Sequence, residues 1–490
     1  MNALAAALKF QATRLAAAGI VLAVAAYVFL ATNVDLVREL QWHDGQRLGQ
    51  LVLLALVLPL MLMPARLRGI ADVWAGLHSW VRRAWLAAFA LGLMSSLLAA
   101  LPRWALLEWG LMALLVLTAF AVAAQRRHAG SCIDQPLVLL IFATAAAYAV
   151  SSCVVYVTML LAGPHYGLGF NVRELYPNFS NLRFFGHVQT MLLPFLMLPV
   201  LWWGTTRVRC LVLSTVPVIW WMLVVGSGTR GTWVALLTGA IAVSLYGKVI
   251  GRQWIKWQLV GLLAGCLCYA LFVILVPKWL EQHVWLLHRS GEILTLSLRD
   301  VLWRDAINWA LQHPLLGTGP MHYAYSAAAV GAHPHNAVLQ WLAEWGMPAT
   351  VLLTGVFAFA GLHFAAYVGR TVNHIAGREA QVRIALLAAL SGAAAQAMVD
   401  GVLVMPVSQV LMVLLCGWAM GMYSPERTGV PGIRLRAVIG VVALLAASMV
   451  AWGVNPEIGR LAERERAYLA KNPPDTVLLP RFWTQGLIGR

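Results

Sequence analysis

The feature that most constrains this chain is a series of apolar runs, each long enough to form a membrane-spanning helix, that recurs along the sequence. A hydrocarbon core of about 30 Å requires roughly 20 apolar residues in a helix. Backbone exposed to lipid must be helical or belong to a closed barrel, and these runs lack the alternation of barrel strands. The expected spans are residues 14–32, 47–64, 84–101, 104–125, 136–163, 187–206, 208–226, 231–247, 257–276, 338–367, 382–403, 405–423 and 437–454.

Composition excludes a water-soluble fold. Residues of the set AVILMFWYC make up 61% of the chain and charged residues only 11%, whereas a soluble domain has about 25% charged residues. Lys and Arg outnumber Asp and Glu by 35 to 19. This excess would suggest nucleic acid in a soluble protein, but in a membrane protein it belongs in cytoplasmic loops. We therefore expect an all-α polytopic membrane helix bundle of 12–13 transmembrane helices, in contact with membrane lipid and without a nucleic-acid partner.

The loop charges predict the orientation. With the N-terminus inside, every even-numbered loop is basic and every odd-numbered loop is mixed, as the positive-inside rule requires. The first run follows Lys9 and Arg14 without a convincing cleavage site, so we interpret it as a retained span. The tail 455–490 is then external if all thirteen spans are real, and internal if there are twelve.

One long polar segment, 277–337, lies between the ninth and tenth spans on the external side. Within it, residues 299–313 have apolar residues at a helical period, and Pro314 follows as a helix terminator. The apolar positions are Val301, Leu302, Ile307, Ala310 and Leu311. We expect an amphipathic helix against the bundle or the membrane surface. The predicted division is an N-terminal membrane bundle (1–276), a partly helical external loop (277–337), C-terminal membrane helices (338–454) and a polar tail (455–490).

Arg230 is the most unusual of the external basic residues. It lies in Gly226-Ser-Gly-Thr-Arg-Gly231, a short turn directly before a hydrophobic helix. Backbone N–H groups at a helix N-terminus, beside a guanidinium, can bind an anion. The alternative is an arginine that snorkels to the interface and only caps the hairpin.

A second candidate is His333-Pro-His335-Asn336, at the end of the long loop. The two imidazoles could bind zinc, but the sequence offers no nearby Cys or carboxylate to complete the site, and we expect no metal. One histidine titrating near neutral pH suits proton transfer, with His333 and Asn336 as supporting residues. The alternative is a His–Asn pair that caps the following helix.

Two carboxylates accompany these residues. Glu344 follows His335 by nine residues, near the same helix face, where it could orient a base or pair with an arginine. Asp400 is isolated near the outer end of the eleventh span, and its burial cost predicts an arginine partner or a bound ligand hydroxyl. External arginines, one candidate base and no acidic metal cluster suit a lipid-linked phosphate substrate, because arginine offers bidentate donors to phosphate.

At these residues the chain resembles the superfamily of O-antigen ligases and O-antigen polymerases, which also includes bacterial protein O-oligosaccharyltransferases. Three pieces carry the resemblance in the expected order: Gly228-Thr-Arg-Gly-Thr-Trp-Val-Ala-Leu236, then Arg299-x-x-Leu-Trp303 running to His313-Pro-Leu-Leu-Gly-Thr-Gly319, and then His335-Asn336 followed after nine residues by Gly346. Thr229 departs from the serine that the first motif usually has.

The resemblance implies a glycosyltransferase of the bacterial inner membrane that acts on the periplasmic side. It implies a glycan donor linked to undecaprenyl pyrophosphate and no cofactor. By motif position, His335 would activate the acceptor hydroxyl, while Arg230 and Arg299 would hold the pyrophosphate, and Asp400 corresponds more loosely. Arg183 joins the candidate pyrophosphate ligands on its charge and external side alone.

Arg289 joins the candidate pyrophosphate ligands on its charge and external side alone.

About 36 residues follow the last span, which favours the ligase that joins O-antigen to the lipid A–core oligosaccharide over a protein glycosylating enzyme. The polymerase, which extends a second lipid-linked glycan, stays an alternative. A transporter of lipid or glycan would place ionisable residues near the bilayer midplane and show internal repeats, and this sequence has neither feature.

Overall fold

The structure, a computed structural model, describes residues 18–163, 165, 169–286, 298–325, 331–375, 377–423, 432–471 and 479–489. Within these residues the chain is helical apart from turns and two short parallel strands, which confirms the all-α prediction. The helices are α1 (Gly19–Asn33), α2 (Trp42–Leu62), α3 (Pro64–Gly76), α4 (Ser79–Leu98), α5 (Pro102–Ala129), α6 (Asp134–Ala162), α7 (Leu182–Leu196), α8 (Leu198–Trp203), α9 (Arg207–Ser227), α10 (Arg230–Tyr246), α11 (Lys248–Cys268), α12 (Val276–Trp279), α13 (Arg299–Gln312), α14 (Ala337–Thr371), α15 (Gly377–Ala397), α16 (Pro406–Tyr423), α17 (Ile433–Ile458) and α18 (Leu461–Lys471). The strands are β1 (Phe170–Asn171) and β2 (Val284–Trp285).

The helices identify a multi-pass membrane protein. Ten segments of the described chain are long and apolar enough to cross a membrane, and one of them, Pro102–Ala162, contains both α5 and α6. The shorter α1 and α10 coincide with the remaining expected spans, at 15 and 17 residues. The boundaries differ by several residues in places. The expected span 382–403 is the helix Gly377–Ala397, so the residues after Ala397 form a turn outside the helix.

Helix α7 lies at the centre of the bundle. The most apolar window of the segment Leu182–Trp203 is 94% buried, compared with 17% for the segment Lys248–Trp279. Protein covers the polar and the apolar faces of α7 alike, whereas peripheral helices leave leucines to face lipid. The polar side chains of α7 are therefore enclosed by protein.

Helix α13 is the expected helix of the long loop, and it packs on α14. Leu302, Ala306 and Ala310 are buried and spaced four residues apart along one face. Ile307 and Leu311, which the period also placed on the apolar face, are 45% and 72% exposed. The buried stripe is thus narrower than the sequence suggested, because contact with one neighbouring helix covers only one row of side chains. We call the end of the bundle that carries α13 the site end.

A close backbone contact fixes the connection between α13 and α14. Gly346 interrupts α14 with a φ of 81°, and a Cβ atom there would collide with the carbonyl oxygen of Leu315. Only glycine adopts this backbone conformation without strain at so close an approach. The Thr318 N–H donates to the carbonyl of Ala343 at 2.8 Å, which ties the loop to the same part of the helix.

The C-terminal segment 479–489 returns to the site end and is buried there. Phe482 and Trp483 are 3% and 2% exposed, and the Thr484 N–H donates to Oδ1 of Asp44 at the start of α2, at 2.7 Å. Helix α17 therefore leads the chain to the site end, as it would if the helices crossed the membrane an odd number of times.

Candidate active site

His335 ends the long loop immediately before α14. Asn336 is the N-cap of that helix: its Oδ1 accepts from the Leu339 N–H at 2.9 Å, and its Nδ2 donates to the carbonyl of Met398 at 3.0 Å. The cap thus joins the start of α14 to the turn after α15. His335 itself has a φ of 54°, and a non-glycine residue in the left-handed region costs about 1–3 kcal/mol unless its surroundings hold it there.

Asp400 lies in the turn that Asn336 binds, and it contacts two imidazoles. Its Oδ1 is 3.3 Å from Nδ1 of His335 and accepts from the Gly401 N–H at 2.9 Å. Its Oδ2 is 3.5 Å from Nε2 of His187, on α7. Burial would raise the pKa of this carboxyl, but His187 and His335 act in the opposite direction and hold it well below its usual range. Asp400 was expected to pair with an arginine or to bind a ligand hydroxyl, and its observed protein partners are histidines rather than an arginine.

The approach of Asp400 Oδ1 to His335 Nδ1 lacks the geometry of a formed hydrogen bond, but its charge favours one tautomer of the ring. A carboxylate beside Nδ1 favours the tautomer that carries its proton there, which leaves Nε2 as the acceptor. The His335 side chain is 14% exposed, whereas that of Asp400 is 4% and that of His187 is 0%. His335 is therefore the member of the three that an external hydroxyl can reach.

His333 supports this arrangement from within the protein. Its Nδ1 accepts from the His335 N–H at 3.3 Å, and the two rings are 4.2 Å apart. Burial lowers the pKa of His333 well below its usual range, and the nearby His335 and Arg481 act in the same direction. The neutral ring that results is consistent with its role as a hydrogen-bond acceptor.

The turn before α10 approaches the same place. Gly231 packs against the Asp400 turn: a Cβ atom there would lie 3.7 Å from Oδ2 of Asp400, an ordinary van der Waals distance. Thr229 Oγ1 donates to Thr232 Oγ1 at 2.8 Å, which fixes the turn around Arg230. The N-terminus of α10, the positive end of the helix dipole, thus lies beside the His335–Asp400 pair.

Two further candidate arginines lie on elements of the site. Arg183 precedes His187 by four residues on α7, so the two side chains leave the same helix face one turn apart. Arg299 precedes Trp303 by the same interval on α13, and the Trp303 Nε1–H donates to the carbonyl of Pro334 at 3.0 Å. Arg289, the remaining candidate, lies outside the described residues.

Glu344 pairs with Arg481 rather than with His335. Nη2 of Arg481 lies 2.9 Å from Oε2 of Glu344 and 2.7 Å from Oε1 of Glu108 on α5. Of the two alternatives for Glu344, orienting a base or pairing with an arginine, the structure has the second. The arginine comes from the C-terminal segment and is 1% exposed.

The C-terminal segment also reaches the Asp400 turn through Arg47. On α2, Arg47 Nη2 donates to the carbonyl of Val404 at 2.7 Å, and its Nε donates to that of Phe482 at 3.2 Å. Helix α14, which begins just after His335, and the turn that carries Asp400 are therefore both bonded to one network of buried charges and backbone carbonyls.

Sequence reasoning missed three residues that build the site region: His187, Glu108 and Arg481. His187 gave a weak signal, as a lone histidine in an apolar helix four residues after an external arginine. Arg481 and Glu108 are separated by 373 residues, and no local pattern connects them. In the described part of the chain, no group of three or more His, Cys, Asp or Glu residues is arranged to hold a metal ion.

Residues 213–354 match the family described as O-antigen ligase. This match covers α10, α13 and the first half of α14, and with them Arg230, Arg299 and His335. It confirms the relation to the O-antigen ligase superfamily that the three motifs predicted. No curated protein matches the chain.

Proposed function

We propose that the protein transfers an O-antigen glycan from undecaprenyl pyrophosphate to the lipid A–core oligosaccharide, at the periplasmic side of the inner membrane. The family match supports a ligase or polymerase type of glycosyltransferase. The observation that carries the proposal is the 3.3 Å contact between His335 Nδ1 and Asp400 Oδ1, beside the N-terminus of the helix that Arg230 begins.

In this mechanism His335 is the general base. Asp400 holds the Nδ1 proton of His335, so Nε2 takes the proton of the acceptor hydroxyl as that oxygen bonds to the anomeric carbon of the donor. The bond from this carbon to the pyrophosphate breaks in the same step, and attack from the opposite face inverts the anomeric configuration.

The leaving pyrophosphate is held by arginines. Arg230, Arg299 and Arg183 begin or lie on the helices that meet at the site, and Arg289 joins them on its charge and external side. Guanidinium groups in a partly dehydrated cavity stabilise developing charge more strongly than they do in water. Such a site needs no divalent cation, so a chelator should leave the transfer rate unchanged. Loss with the chelator and recovery with magnesium would contradict this mechanism.

The first test is His335→Ala, assayed with an undecaprenyl-pyrophosphate-linked glycan and lipid A–core. We expect the transfer rate to fall about 10²- to 10⁴-fold, the usual contribution of a positioned base. His283→Ala, a change of an exposed histidine in the same loop, is the matched control and should keep normal activity. Full activity of the His335 variant, at normal membrane expression, would assign this histidine to the helix cap.

The same assay separates the alternatives within the superfamily. A wild-type enzyme that ignores lipid A–core but extends a second lipid-linked glycan is the polymerase. One that glycosylates only a protein hydroxyl is the O-oligosaccharyltransferase.

A further inference from the structure

His187 is a buried polar residue for which the proposed mechanism gives no role. It lies on α7, the most enclosed membrane-spanning segment, and its side chain has no solvent exposure. Among the described residues, neither ring nitrogen forms a hydrogen bond of good geometry. The polar contact that remains is the approach of Nε2 to Asp400 Oδ2, at 3.5 Å. A buried imidazole without partners costs free energy, so its position calls for a compensating function.

The two oxygens of Asp400 are divided between two elements of the protein. Oδ1 faces His335 Nδ1 and the Gly401 N–H, while Oδ2 faces His187. Rotation about the bond to the carboxyl group would move Oδ1 away from His335. A donor on Oδ2 opposes this rotation, because turning the carboxylate would break both contacts together.

We propose that His187 is a positioning residue that donates its Nε2 proton to Asp400 and so holds the carboxylate on His335. This inference rests on the proposed function, because it explains how the His335 base keeps the tautomer with a free Nε2. His187 does not act as a base itself, since its ring is enclosed on every side.

The role requires a hydrogen-bond donor rather than an imidazole. A glutamine side chain reaches about as far from the backbone and carries an N–H group at its end. A leucine fills similar space without a donor. The pair of substitutions therefore separates donation to Asp400 from simple packing of α7.

The experiment measures kcat and KM of His187→Leu and His187→Gln with the donor and acceptor that wild type uses. We expect His187→Leu to lower kcat about 10- to 100-fold, as the loss of a carboxylate or other partner behind a metal-bound histidine does, with KM for the donor nearly unchanged. His187→Gln should restore most of the lost rate. Gln189→Leu, at another fully buried polar position on α7, is the control for helix packing and should leave kcat near the wild-type value.

Three outcomes would overturn the inference. They are a normal kcat in His187→Leu, an equal loss in the Leu and Gln variants, and a comparable loss in Gln189→Leu. His335→Ala keeps this test apart from the proposed function. An inactive His335 variant beside a normal His187→Leu variant contradicts only the role of His187, whereas an active His335 variant contradicts the base itself.

Discussion

Two buried groups of charged side chains lie at the site end, and they differ in how well their partners fit. The arginine cluster consists of Arg481, Glu108 and Glu344, with nitrogen–oxygen distances of 2.7 to 3.0 Å. The histidine cluster consists of His187, Asp400 and His335, with distances of 3.3 and 3.5 Å. Short charge-assisted contacts, here between one guanidinium and two carboxylates, are typical of groups that hold a fold together. Long contacts are typical of catalytic groups before substrate binds.

The arginine cluster and the histidine cluster also differ in their exposure to solvent. Every member of the arginine cluster is at least 94% buried, so no substrate can exchange places with its ion pairs. The histidine cluster has one partly exposed member, His335. A site that must accept and release a proton needs such an opening. The two clusters therefore separate stability from activity, and substitutions in each should affect one property more than the other.

Arg481→Met should have the largest effect, and it should act on stability. The change leaves two buried carboxylates without their cation, and breaking a buried ion pair costs about 3–5 kcal/mol. We expect a clear fall in the Tm of the detergent-solubilised protein. Arg466→Met, which removes an exposed arginine of the same C-terminal part, should change Tm little. Adding Glu108→Gln and Glu344→Gln should recover part of the loss, and failure to recover any would argue against a charge effect.

Asp400→Asn should affect activity instead. The amide keeps the size of the side chain but removes the charge that favours the Nδ1–H tautomer of His335. We expect kcat to fall about 10²- to 10³-fold, within the range of general-base catalysis, while Tm stays within a few degrees of wild type. Glu281→Gln, at an exposed carboxylate of the long loop, should leave kcat unchanged. A large loss of stability with normal kcat would reverse the assignment of the two clusters.

Gly401→Ala tests whether the histidine cluster depends on the packing behind it. A Cβ atom at this position would lie 2.5 Å from Cε1 of His333, so the His333 ring must move. Overpacking of this kind costs about 1–3 kcal/mol, and we expect a fall in kcat of about tenfold as His335 shifts with its neighbour. Gly361→Ala, where a Cβ atom would meet nothing within 4 Å, is the control in a transfer assay. Equal activity of the two variants would contradict the packing argument.

Asn336→Ala should have the smallest effect of the four. It removes a helix cap, which costs about 1 kcal/mol, and it removes the bond to Met398 that links α14 to the Asp400 turn. We expect a small fall in Tm and a loss of activity of only a few-fold. Asn336→Ser, which preserves a capping oxygen, should recover the Tm. A loss of activity as large as that of Asp400→Asn would place Asn336 among the reacting groups.

The sequence predicted the helices well because each span must be apolar along its whole length, and that is a local property. It also indicated His335 and Arg230, since polar residues at helix starts stand out in an apolar chain. The pairing of Asp400 with histidines was not predictable, because it depends on how α7, α14 and the turn after α15 pack together. Arg481 was missed for the same reason, as the tail was interpreted only by its polarity.

The ion pair between Arg481 and Glu108 also has a consequence for the order of synthesis. The two residues are separated by 373 residues of chain, which a ribosome adds at about 5–20 residues per second. Glu108 and Glu344 therefore enter the membrane well before their common cation exists. The arginine cluster closes only after α17 has emerged, so the region that supports His335 is completed long after the helix that carries Glu108 has been made.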